Sequence, residues 1–181
     1  APLDPFLCYK AKTTPATPKF EPKVVTLKDQ FDAEPQSVEV KKAVSLCNPA
    51  DKNDEGINDP DTHLKGYKIL PETAHVPQTN IKVVNQFGEL FVDTIKPDRL
   101  LVPTAKSLLA PPDEPGLNFV DHFKCYKVKV TKGTPKFPKG LQASVVDQFN
   151  QPKLYDIKKP RRLCNPVDKN GEGIKDDTAH L

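Results

Sequence analysis

Apolar side chains fall along this chain in short alternating runs, not at helical spacing. Ser37-Val38-Glu39-Val40-Lys41 and Leu154-Tyr155-Asp156-Ile157-Lys158 would put apolar and polar groups on opposite faces of an extended strand. The 20 prolines recur too often to leave room for a 3.6-residue amphipathic repeat, whereas short strands accept proline at their ends. The pattern predicts an all-β protein of short strands with one face in water.

The runs recur in register. Pro5-Phe6-Leu7-Cys8-Tyr9-Lys10, Lys28-Asp29-Gln30-Phe31, Val40-Lys41-Lys42 and Leu46-Cys47-Asn48-Pro49-Ala50-Asp51-Lys52-Asn53 return as His122-Phe123-Lys124-Cys125-Tyr126-Lys127, Val146-Asp147-Gln148-Phe149, Ile157-Lys158-Lys159 and Leu163-Cys164-Asn165-Pro166-Val167-Asp168-Lys169-Asn170. Between them lies a divergent copy: His63-Leu64-Lys65-Gly66-Tyr67-Lys68, Val84-Asn85-Gln86-Phe87, Ile95-Lys96 and Leu101-Val102-Pro103. Such self-similarity marks a repeated supersecondary unit. Each unit predicts about four strands, in the first Phe6 to Lys12, Lys23 to Phe31, Ser37 to Lys42 and Ser45 to Cys47. The expected organisation is repeat 1 over 1–62, repeat 2 over 63–110 packed with it, a Pro-rich linker at 111–116, and a third repeat over 117–181 standing apart. Half-buried antiparallel strands suit tandem β-sandwich-like (Ig-like) or small-barrel units, and a threefold β-trefoil is a further closed solution.

Cys8 and Cys47 are 39 positions apart, as are Cys125 and Cys164, and the middle copy has Gly66 and Val102 at the aligned places. Joint loss of both partners predicts one disulfide within each outer unit, Cys8 to Cys47 and Cys125 to Cys164. Bonded cysteines imply an oxidising compartment. After each second cysteine comes an acidic, glycine-containing loop. Asp51, Asn53, Glu55 and Asp59, and likewise Asp168, Asn170, Glu172 and Asp176, follow the head of a calcium loop, but Thr62 and Ala179 stand where the bidentate glutamate belongs. A plain turn with left-handed Asn, Asp and Gly explains the same residues. Calcium is a possible ligand and no cofactor is required.

No P-loop, nucleophile elbow or zinc-binding helix motif occurs, and His63, His122 and His180 share one register position on different repeats, so an enzyme is not expected. Nothing specifies nucleic acid. No apolar run approaches the roughly 20 residues needed to span a bilayer, and a chain without Met that begins Ala1-Pro2-Leu3-Asp4 is expected to be an exported protein after signal-peptide removal. The overall charge of +3 conceals an asymmetry, because residues 122–181 carry an excess of Lys and Arg while residues 1–121 carry an excess of Asp and Glu. Opposite potentials of this kind orient docking.

The final His180-Leu181 repeats the His63-Leu64 that opens a unit, so the third unit is expected to present an unfinished sheet edge, and such edges invite strand pairing. The segment Cys-Tyr-Lys-Val-Lys from Cys125, with Arg-Leu-Cys-Asn-Pro-Val-Asp-Lys-Asn-Gly-Glu-Gly-Ile from Arg162, resembles a family of secreted repeat proteins of environmental bacteria whose function is uncharacterised, and this style of tandem unit is similar to subunits of extracellular helical fibrils. The expected function is a structural subunit of an extracellular filament or surface assembly whose partners are copies of itself, joined through Phe6, Leu7, Cys8 and Tyr9 at one end and His180 and Leu181 at the other. The alternative is a monomeric secreted module that binds an acidic polysaccharide.

Overall fold

The alternating runs form strands throughout the computed structural model, which describes residues 3–112, 120–149 and 151–181. The first unit supplies β1 (Phe6–Lys10), β2 (Lys23–Lys28), β3 (Gln36–Pro49) and the short β4 (Asp51–Lys52). The middle unit supplies β5 (His63–Pro71), β6 (Ile81–Asn85) and β7 (Gly88–Thr104), and the third supplies β8 (His122–Val130), β9 (Gln142–Val146), β10 (Lys153–Asp156) and β11 (Arg162–Lys169). The fold is all-β: no helix occurs among the described residues, so none there could cross a membrane.

Two expected strands of the first unit are in fact one. β3 runs unbroken from Gln36 to Pro49 because its register against β5 slips twice, between Val40 and Lys42 and between Ala43 and Ser45. Each slip is a bulge that turns the strand over. The two reversals cancel, so Val38 and Val40 face one side and Ser45 and Cys47, an odd number of residues further on, face the other, and all four are buried. β2 stops at Lys28 because Asp29 starts a turn, its side chain accepting the Phe31 N–H at 3.0 Å and its carbonyl the Asp32 N–H.

Strand pairing links the three units into one ring. β2 pairs with β3, β3 with β5, β5 with β7, β7 with β8, β8 with β11, and Asp168–Lys169 of β11 return to Leu27–Lys28 of β2. Leu27, Val38, Val40, Ile69, Leu100 and Val167 from five of these strands form one buried cluster. Each such side chain contributes roughly 1.5–3 kcal/mol when fully buried. A second cluster surrounds the cysteines, with Leu64, Leu101 and Phe123. The third unit is thus not a separate body, which corrects the expectation of a lone repeat behind a linker: the ring and its core need β8 and β11. Residues 113–116 of the expected linker lie outside the described residues.

Candidate functional site

Cys8 is bonded to Cys47 and Cys125 to Cys164, each pair directly opposite across antiparallel neighbours. Around them, units 1 and 3 exchange equivalent contacts. Tyr126 donates its hydroxyl to Asp29 at 2.9 Å, and Tyr9 donates to Asp147 at 3.0 Å. The Asn165 amide donates to Asp29 and the Asn48 amide to Asp147. Phe31 packs edge-on against Tyr126, and Phe149 against Tyr9. Asn170 accepts the Thr26 N–H through its side chain while Asn53 accepts that of Ser144, both at 2.9 Å. β4 likewise pairs with β9 as the end of β11 pairs with β2. A local two-fold therefore relates unit 1 to unit 3, and the aspartate of each Asp-Gln-Phe segment serves the tyrosine of the other unit.

The sequence carried a trace of this exchange that motif reading missed: in the middle copy Asn85 replaces the aspartate and Pro103 the asparagine, together with the loss of both cysteines. The two aspartates do not sit in equal surroundings. Burial raises the Asp29 carboxyl to about 6, against the attraction of Lys124, whose ammonium lies 2.7 Å from Asp32. Tyr126 is pushed above the ordinary phenol range by burial and by Asp29. Near Asp147 the cation is Lys106, which lies over the Phe149 ring at 4.3 Å and is lowered by burial.

Strand occupancy breaks the two-fold. β8 is flanked by β11 and β7, and β5 by β3 and β7, but among the described residues their counterpart β1 pairs with β3 alone. Ala11 donates to the Val44 carbonyl and Ala50 to that of Pro5, so the odd residues of β1 bond β3, and Phe6, Cys8 and Lys10 turn their backbone groups outward. Exposure follows: Cys125 is 1% exposed, whereas Cys8 lies open to solvent. At the far edge of β11, Leu181 exchanges both backbone hydrogen bonds with Cys164, at 2.7 and 3.0 Å. That position repeats Leu64 opposite Cys47 in β5 and β3. His180 sits beside it, its Nδ1 3.2 Å from the Asn165 Oδ1. Phe6 and Leu181 both pack on the cluster that holds Cys47, Cys125 and Cys164.

The acidic loops spend their oxygens on protein donors. Asp51 accepts the Gly56 N–H at 3.1 Å and Asp168 the Gly173 N–H at 3.0 Å; Glu55 pairs with Lys52, and Glu172 with Lys169 and with His122 at 3.1 Å. Asp59 accepts from Thr62, and Asp176 from Thr178. Asn53, Asp54 and Gly56, and in the third unit Asn170, Gly171 and Gly173, hold positive φ, the geometry that Asn and Gly adopt most readily. Among the described residues no three His, Cys, Asp or Glu side chains form a set that could hold a metal ion. The histidines meet different partners, Glu172 for His122 and Asn165 for His180, and burial holds His63, His122 and His180 below the usual imidazole range. Set beside known protein families, curated proteins and solved structures, the chain matches none of them.

Proposed function

We propose that this protein is a structural subunit that self-associates by strand addition, β1 of one copy lying along the far edge of β11 in the next. The observation that carries the reading is the one-sided pairing of β1, against two-sided pairing of its counterparts β5 and β8. An edge with outward N–H and C=O groups is a template for another strand. The register is set by precedent within the chain. Phe6 takes the place opposite Cys164 that Leu64 takes opposite Cys47, displacing the two hydrogen bonds of Leu181. Contact between different surfaces of identical subunits need not close on itself, and where it does not it generates a filament. Acidic unit 1 then meets basic unit 3, so opposite charge orients the approach. The two disulfides suit an oxidising, extracellular-type environment, where such an assembly would stand.

The test is light scattering and negative-stain electron microscopy of the purified chain over a range of concentrations, beside Lys10→Pro. That substitution removes an outward N–H while leaving the groups bonded to β3, the placement in which an edge strand tolerates proline. Filaments or large species are expected for the parent and monomers for the variant, with both melting alike. A parent that stays monomeric at every concentration, or a variant that assembles equally well, overturns the reading.

A further inference from the structure

Two rows of like charge cross the outer face of the ring. Lys42 of β3 lies opposite Lys68 of β5, which lies opposite Arg99 of β7. Lys96 of β7 lies opposite Lys127 of β8, which lies opposite Arg162 of β11. Directly opposed residues project to the same side, and opposed like charges destabilise a sheet. Few acids answer them. Asp98 is taken by Arg162, at 2.7 and 2.9 Å, and reaches Lys127 only at 4.0 Å. The Arg99 Nε is buried without a hydrogen-bond partner.

These rows border two adjoining grooves. One, of about 480 Å³, is lined by Lys68, Lys96 and Arg99; the other, of about 320 Å³, by Lys129, Lys159 and Arg161; Lys127 lines both. Lys42, Lys68, Lys96, Lys127, Lys159 and Arg161 are exposed. No Phe, Tyr or Trp lines either groove. A single-stranded nucleic acid is held largely by stacking its bases on aromatic rings, and the one ring here, that of His75, is tied to the Thr94 hydroxyl and packed against Tyr126, which favours a polymer read by charge. We propose that this furrow binds an acidic polysaccharide, successive carboxylate or sulfate groups of the polymer seating between the cation rows. No β1 residue lines the furrow, although Arg162 belongs to β11, whose far edge receives β1 in the assembly above, so binding is measured on the Lys10→Pro chain as well as on the parent.

Binding to dextran sulfate and to polygalacturonate is measured against salt, with single-stranded DNA of matched charge as competitor. Replacing three furrow cations, Lys96→Gln with Lys127→Gln and Arg161→Gln, is expected to weaken binding about tenfold to a hundredfold and to lower the slope of log affinity on log salt by about two to three. Replacing three exposed loop lysines, Lys12→Gln with Lys19→Gln and Lys136→Gln, is expected to change affinity by less than about twofold on the same reasoning. A footprint on the parent chain needs no variant: polymer is expected to slow acylation of Lys68, Lys96, Lys127 and Lys159 but not of Lys12 or Lys19. Equal losses in both triple variants, protection spread evenly over all lysines, no binding at low salt, or tighter binding to the DNA would each overturn the proposal.

Discussion

Asp29 is 4% exposed and accepts from the Tyr126 hydroxyl, the Asn165 amide and the Phe31 N–H. Its carboxyl is nevertheless raised to about 6, because burial, with help from Asp32, outweighs the attraction of Lys124. An unfolded aspartate titrates near 4. Between those values the folded chain keeps a proton that the unfolded chain has released, so this group's contribution is full below about pH 4 and falls as pH rises toward 6. Asp4 and Glu172, held below the ordinary carboxylate range, act in the opposite sense, which makes the parent's own pH profile a mixture. Comparison with Asp29→Asn isolates the group. In urea unfolding at pH 4 and at pH 7, the parent's stability relative to the variant is expected to fall by on the order of 2–3 kcal/mol toward the higher pH. A margin that does not change would mean that Asp29 is ionised throughout.

At the scale of elements, the middle unit shows what replaces a lost disulfide. A Cβ at Gly66 would lie 2.1 Å from the Ser45 Oγ and 3.1 Å from the Arg99 Cδ, so the β3, β5 and β7 side chains have closed over the place that a cysteine holds in the outer units. Gly66→Ala is expected to cost about 1–3 kcal/mol by overpacking, measured as a shift of the urea midpoint. No loss would show that Ser45 moves aside freely. Such local features were well marked in the sequence: the alternating runs, the three copies and the joint disappearance of Cys at Gly66 and Val102 are all matters of short-range pattern. The merging of two expected strands into β3 was not, because the doubled positions Lys41-Lys42 and Ala43-Val44 read as a break between strands and are recognisable as bulges only in the pairing with β5. The acidic loops read partly as ion sites for a similar reason, since Asn, Asp and Gly in that order serve a left-handed turn and a calcium loop alike.

The whole molecule depends on contacts that no spacing announces. The Tyr126–Asp29 and Tyr9–Asp147 hydrogen bonds join residues 97 and 138 positions apart, and only the return of β11 to β2 explains why each Asp-Gln-Phe segment carries its aspartate. An isolated first repeat would lose the Tyr126 hydroxyl and the Asn165 amide from which Asp29 accepts and would expose its carboxyl to water. The ring makes the same demand of the core: Leu27 and Val167 meet in one cluster although they come from opposite ends of the chain. Units that complete one another in this way cannot unfold singly without exposing the others. The expected outcome is one cooperative urea transition, in which far-UV circular dichroism and backbone hydrogen exchange in β3, β7 and β11 report a common midpoint. If β8 and β11 exchanged at a lower midpoint than β3 and β5, the third unit would be energetically its own body, and the reciprocal aspartates would be ornaments of the surface between two domains instead of the bonds that make them one.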